Sequence, residues 1–182
     1  MLSQLRPAIV LTLVFAFLTG IAYPLAITGA AQAILPAQAN GSQVVRNGVL
    51  VGSALIGQNW TADRYFHGRP SAVNDDASTS SGSNLGPSSK TLIGQLDDRV
   101  AGLGGSLIPA DLVTASGSGI DPDISPAGAL FQVARVARAR NLGEDRLRQL
   151  IAANIRGPDL GILGEPRVNV LALNLALDEL KP

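Results

Sequence analysis

The 182 residues include fourteen basic and fourteen acidic side chains. That balance leaves no broad basic field, so nucleic-acid binding is excluded as a function. Cysteine is absent and there is one histidine, which rules out disulfides, thiolate-held metal and a metal site built on paired imidazoles. With 20 glycines, 11 prolines and few aromatic residues, the composition is that of one domain with long, shaped loops, in addition to any membrane anchor.

No charge falls between Arg6 and Arg46, and the run Ala8 to Tyr23 is almost wholly apolar. A helix of about 20 such residues spans the hydrocarbon layer, so Pro7 to Leu35 is read as a transmembrane helix. The competing reading is a cleaved signal peptide, since Ala31-Gln32-Ala33 and Pro36-Ala37-Gln38-Ala39 carry small-x-small patterns. Length favours the anchor, because a signal core runs to only about 7–15 residues. The whole stretch is longer than the ~30 Å hydrocarbon layer requires, so its last turns are expected to rise from the bilayer. Thr12, Ala16, Thr19 and Gly20 offer the small, weakly polar surface that packs helices in lipid. Arg6 and the terminal amine lie on the short side, which predicts a cytoplasmic amino terminus. The expected organisation is residues 1–6 cytoplasmic, 7–35 the span with its external extension, 36–43 a linker, and 44–182 an extracytoplasmic domain.

Val44 to Val51 reads as a hairpin around Asn47-Gly48, the dipeptide that suits a type I′ turn, with the second arm continuing through Ala54, Leu55 and Ile56. Residues 61–87 lose all periodicity, and the serine- and glycine-rich composition from Ser78 to Gly86 suits either a flexible linker or a functional loop. A helix from Lys90 to Leu103, capped by Ser88 or Ser89, places Leu92, Leu96, Val100 and Leu103 on one core-facing stripe. Asp111 to Thr114 suggests a short strand. Ser125-Pro126 starts a helix to Asn141 with Leu130, Val133, Ala134 and Ala137 inward and Phe131 beside that stripe. Another helix follows from Glu144 to Asn154, with Leu147, Leu150 and Ile151 inward. The ending from Val170 to Leu180 fits both periods, and its alanines, its length and a cap at Asn169 favour a helix. The fold class expected is thus one amino-terminal span plus one external α/β (α+β) domain with a small antiparallel sheet, about four helices and long loops.

Catalytic patterns are mostly decoys. The Lys90-Thr91 ending resembles a phosphate-binding loop, but Asn84 and Ser89 stand where its wrapped backbone needs glycine. Ser116-Gly117-Ser118-Gly119 has the composition of a nucleophile elbow without its spacing. His67 is the one imidazole available to a serine triad, and a packing or hydrogen-bonding role is its plainer reading. Asp75-Asp76 and the pair Asp121 and Asp123 lack calcium-loop spacing, so no metal site is assigned. Asn40-Gly41-Ser42 and Asn59-Trp60-Thr61 match the glycosylation pattern. Arg69, Asn84, Asp121, Arg167 and Asn169 have polar groups suited either to closing loops internally or to reaching a partner.

Six segments in order, Tyr65-Phe-His-Gly-Arg-Pro-Ser71, Ser81-Gly-Ser-Asn-Leu-Gly-Pro87, Asp111 to Pro122, Ile124-Ser-Pro126, Arg135-Val-Ala137 and Leu163-Gly-Glu-Pro-Arg-Val-Asn-Val-Leu171, resemble the C subunit of the Kdp potassium-transporting ATPase. The resemblance covers essentially the whole chain, with a shorter Val73-Asn74-Asp75-Asp76 segment and aliphatic Leu160 and Ile162 as departures. It implies a non-catalytic subunit of a potassium uptake pump in the plasma (inner) membrane. The implied partners are a channel-like potassium-binding subunit, a P-type ATPase catalytic subunit, a small membrane subunit and the lipid bilayer. It implies no cofactor held by this chain, while the complex uses ATP and magnesium and transports potassium. It further implies a role in assembly and in promoting ATP use; an external domain would act through the membrane helices and cap the ion entrance. Binding or interface residues expected on this basis are Tyr65, Phe66, His67, Arg69, Asn84, Ser116, Ser118, Asp121, Glu165, Arg167 and Asn169, with no catalytic residue. The alternatives from other classes are an anchored or secreted hydrolase using His67 and a loop serine, and a stand-alone extracytoplasmic binding module.

Overall fold

A computed structural model describes residues 2–105 and 107–180, which form two compact units dividing between Gln43 and Val44. In the first unit, a 3-10 turn at Leu2–Gln4 leads into α1 (Leu5–Ile34), a 30-residue apolar helix. Proline at position 24 cannot donate to the carbonyl four residues back, and its ring crowds that turn. The helix widens to a π segment at Leu18–Ala22 just before it, which makes room without breaking the rod. Thr19 donates its hydroxyl to the Phe15 carbonyl at 2.7 Å, so it adds no unsatisfied group to an apolar surface. Leu35 leaves helical geometry ahead of Pro36, as the residue before proline tends to. A short α2 (Pro36–Ala39) follows, and the Asn40 and Gln32 side-chain amides pair reciprocally at 3.1 and 3.2 Å.

The second unit begins with the hairpin of β1 (Gln43–Arg46) and β2 (Val49–Ser53). Asn47 and Gly48 between them have φ of 51° and 78°, the two positive values that a type I′ turn needs. The expected extension through Ala54–Ile56 is not a strand: the Ser53 hydroxyl accepts from Leu55 N at 3.2 Å and turns the chain. From there to Lys90 the backbone has no helix or strand.

α3 (Lys90–Leu103) begins at Ser89, whose hydroxyl accepts from Leu92 N, and stops at Gly104 with φ 63°. Its stripe does not face a core as expected. Leu92 and Leu96 are half-buried and Val100 and Leu103 exposed. Asp111–Thr114 likewise is not a strand; Ala110–Leu112 is a 3-10 turn, and the Asp111 carboxylate is used to accept from Ser125 N at 2.6 Å.

The predicted single helix from Ser125 is two, α4 (Pro126–Phe131) and α5 (Val133–Arg140), interrupted at Gln132. Its buried face is Gly128, Ala129, Val133, Val136 and Ala137, while Leu130 and Ala134 are exposed. The Gln132 side chain accounts for this rotation, because it turns inward to bond distant backbone. α6 (Glu144–Asn154) buries Leu147 and Ile151 as its spacing predicts. α7 (Val170–Glu179) settles the ambiguous ending as a helix, with Asn169 accepting from Ala172 N at 3.0 Å.

A second, three-stranded antiparallel sheet has β5 (Arg167–Asn169) between β3 (Asp123–Ile124) and β4 (Ile155–Arg156). Val168 pairs with Ile124 on one side and Ile155 on the other. The core lies where this sheet meets α4 to α7, and Phe66, from the long loop, is wholly buried in it with Val133, Val136, Leu147, Leu173 and Leu177. An amino-terminal apolar helix, long enough to cross a membrane, and an α/β domain with small antiparallel sheets are thus the observed class.

Candidate functional site

The long loop is fastened by side chains that replace a strand's hydrogen bonds. Asn174, fully buried on α7, accepts from Phe66 N at 2.8 Å and donates to Phe66 O at 2.9 Å. Gln132 does the same for the next residue, accepting from His67 N at 2.8 Å and donating to His67 O at 3.1 Å. Buried backbone groups must find partners, and here two amides supply four of them.

Two arginines hold the flanking residues. Arg135 donates to Asp63 O and to Gln132 Oε1, both at 2.7 Å. Arg140 donates to Arg64 O at 2.8 Å and to Asp178 at 2.6 Å, and lies 4.8 Å from the centre of the Tyr65 ring. Tyr65 stacks at a tilt on Trp60 at 4.7 Å and donates its hydroxyl to Asp178 at 3.2 Å.

Downstream, Arg69 pairs with Asp121 at 3.0 Å. Ser71 donates to Gly119 O at 2.6 Å, and Pro70 O accepts from Ser116 N at 3.0 Å. The buried Ser116 hydroxyl accepts from Gly119 N at 2.8 Å, and that of Ser118 from Ile120 N at 3.2 Å. These contacts join the Arg-Pro-Ser segment to the Ser116–Asp121 turn. Gly119 needs its φ of 71°, since a Cβ there would meet the Ser81 carbonyl.

Arg167 reaches Asp123 at 3.4 Å and both oxygens of Asp159 at 3.1 Å. Asn169 donates to Ala54 O and Asp123 Oδ1 besides capping α7. Of the expected site residues, Tyr65, Phe66, His67, Arg69, Ser116, Ser118 and Asp121 thus lie in one loop assembly, with Arg167 and Asn169 beside it. Glu165 is exposed at an acid-rich hollow with Asp121, Asp123 and Asp159, and Asn84 is exposed with a left-handed φ of 54°. Sequence reasoning missed Gln132, Asn174, Arg140 and Asp178. Asn174 left a signal, being a polar residue inside an apolar helical run.

Beside the loop is a cavity of about 480 Å³ lined by Trp60, His67, Arg69, Asp75, Leu103, Leu112, Phe131, Gln132, Arg135 and Arg138. Burial pushes the His67 imidazole below its ordinary pKa. The Arg135 guanidinium at 3.3 Å adds to that, while the Ala62 carbonyl and Asp63 oppose it. With Nε2–H donating to Ala62 O at 3.1 Å, Arg135 is a positively charged neighbour of the same nitrogen and not a second hydrogen-bond donor to it. Burial raises Asp75, and the Asp121 charge adds to it. Asp121 and Asp123 are engaged by Arg69, Arg167 and Asn169, and no group of three His, Cys, Asp or Glu side chains suited to a metal occurs among the described residues.

Comparison with known proteins extends over the apolar helix and the domain together. The family described as KdpC, K+-transporting ATPase, c chain, matches residues 5–179. The chain is 54% identical to a potassium-transporting ATPase KdpC subunit of Methylorubrum extorquens over 99% of its own length and 98% of that protein. It is 55% identical to the same-named subunit of Bradyrhizobium diazoefficiens over 98% of each chain. With that of Rhodopseudomonas palustris it shares 54% identity over the full length of both. The chain belongs to the KdpC family, the c chain of K+-transporting ATPases.

Proposed function

We propose that this chain is the non-catalytic c chain of an ATP-driven, high-affinity potassium uptake pump, assembling and stabilising the complex and promoting ATP use by its catalytic subunit. The observation that carries this reading is the family match from residue 5 to 179, which takes in the apolar helix as well as the domain. The loop geometry supports it. Arg69, Asp121, Arg167 and Asn169 are spent on closing loops rather than aimed at a reacting centre.

The partners are a channel-like potassium-binding subunit, a P-type ATPase subunit and a small membrane subunit; ATP, magnesium and potassium belong to the complex. Residues 1–6 are cytoplasmic, 7–35 cross the inner membrane, 36–43 link, and 44–182 form the extracytoplasmic domain. From that side the chain acts on ATP use through the membrane helices. Tyr65, Phe66, His67, Arg69, Asn84, Ser116, Ser118, Asp121, Glu165, Arg167 and Asn169 form or shape the partner surface.

The test is purification from membranes in mild detergent. Two larger membrane subunits are expected to travel with this chain, and potassium-stimulated ATP hydrolysis is expected to fall when it is withheld. A stable monomer with full pump activity in its absence would overturn the proposal. Protease digestion of sealed, right-side-out vesicles is expected to degrade residues beyond Gln43; protection would reverse the topology.

A further inference from the structure

The cavity beside the long loop has more positive charge than its own acids neutralise. Arg69, Arg135 and Arg138 line it with one carboxylate, Asp75. Arg69 is matched by Asp121 at 3.0 Å. Arg135 has only Asp63, at 3.8 Å, and that side chain is 79% exposed, so the pair is loose. Arg138 makes no salt bridge or hydrogen bond among the described residues. Its place in the last turn of α5 suits the helix dipole, and its exposed guanidinium is left to water, with no protein acceptor among the described residues.

Arg135, by contrast, is held still by Asp63 O and Gln132 Oε1. One guanidinium is therefore preorganised and the other available, three residues apart on one helix face. The same wall carries two buried donors with no partner, Trp60 Nε1 and Arg69 Nε, and such groups are costly when unmet. The rest of the lining supplies an apolar floor from Leu103, Leu112 and Phe131. A volume of about 480 Å³ lies in the range of small-ligand sites.

We propose that this cavity binds a small organic carboxylate, its apolar body against Phe131 and Leu103 and its anionic head at Arg138 and Arg135. Guanidinium and carboxylate meet in matched, two-pronged geometry, and an apolar floor selects against inorganic anions. The cavity shares His67 and Arg69 with the long loop, but carboxylate binding is read on the isolated chain, so its test needs no other subunit.

The probe is 3-phenylpropionate, titrated into the full-length chain in nonionic micelles and read by the fluorescence of Trp60, the one tryptophan. Saturable binding is expected, at least tenfold weaker for the uncharged 3-phenylpropionamide and for Arg138→Gln. Ala134→Phe, which adds bulk at the cavity wall from an exposed helix position and introduces no second tryptophan, is expected to abolish the response. Arg138→Gln should lower the melting temperature by no more than a few degrees, the worth of its helix-dipole interaction, since the side chain has no internal partner. Non-saturable binding, an amide as good as the acid, unchanged affinity in both variants, or displacement by equimolar inorganic phosphate would each overturn the assignment.

Discussion

Asn174 is where the long loop is most exposed to a single substitution. Replacing it with leucine keeps the volume class and improves helix propensity by a few tenths of a kcal/mol, so any loss must come from the hydrogen bonds. Both bonds go to Phe66, at 2.8 and 2.9 Å, and both residues are fully buried. The variant leaves one N–H and one C=O with no partner and no water. At about 1–3 kcal/mol for each orphaned group, the expected loss is about 2–6 kcal/mol, a large share of the ~5–15 kcal/mol by which domains are stable. Urea unfolding of the full chain in micelles, followed by Trp60 fluorescence, reads the domain without interference from α1, which has no tryptophan. With a slope of about 2 kcal/mol per molar, a 3 kcal/mol loss lowers the midpoint by about 1.5 M. Phe66→Ala should cost about 3–5 kcal/mol alone and less on the Asn174→Leu background, because the two residues act as one fastening. A midpoint for Asn174→Leu within about 0.3 M of the parent would refute this account.

Glycine positions separate strain from collision. Gly119→Ala meets the Ser81 carbonyl and lies 2.7 Å from Val73 as well as holding φ 71°, whereas Gly48→Ala holds φ 78° in open space. The first should cost well over the ~1–2 kcal/mol of left-handed backbone strain and the second no more than that; equal losses in urea titration would contradict the packing. For His67 the folded pKa lies below 6.5, so the unfolded chain takes up the proton first as pH falls. Stability is therefore full above pH 6.5, declines from there down to the folded pKa and is flat below it. His67→Gln should remove that slope between pH 7 and 5, and a slope persisting unchanged would assign it to another group. Asp178→Asn weakens the 2.6 Å bridge to Arg140, whose side chain is 9% exposed, and the Tyr65 hydroxyl bond. Because Asp178 itself is 29% exposed, the loss is discounted to about 1–2 kcal/mol, with most of it absent in 1 M salt.

What was legible in the sequence was local. Asn47-Gly48 dictates its turn because the two positive φ values are a property of those two residues. Ser89, Ser125 and Asn169 announce helix starts because each caps an amide within three residues. The three-stranded sheet was hidden, since strands of two and three residues are too short to show alternation. The break between α4 and α5 was hidden as well, because its cause is His67, 65 residues away. In the candidate site, Arg69, Asp121, Arg167 and Asn169 were recognisable as loop-closing polar groups, yet the pairings of Arg69, Asp121 and Asn169 join residues 46 to 115 apart in the chain. Gln132 gave no sign, for the His67 backbone groups its amide bonds lie 65 residues away.

The fastening of the long loop has a consequence for how such a domain meets other molecules. Hairpin and sheet together hold only short strands, so the backbone polar groups between Ser53 and Lys90 cannot be met by ladders. Asn174, Gln132, Arg135 and Arg140 meet them from helices that are themselves packed on the core. The loop is thereby ordered before any encounter, and a partner need not supply the ordering entropy that a floppy loop would demand. Internal bonds consume the polar groups, which leaves apolar tips outward: Leu55, Leu160 and Ile162 are 64%, 89% and 82% exposed. Leu160 and Gly161, with φ of 55° and 79°, sit in a turn closed by the Asp159 and Leu163 backbone pairing and braced by Arg167. A rigid turn that carries its leucine and isoleucine into solvent fits contact rather than catalysis. Leu160→Ser with Ile162→Ser should thus leave urea stability within about 0.5 kcal/mol, while lowering retention of the chain in the detergent-solubilised complex. Reduced stability with unchanged retention would show instead that the turn serves only the fold.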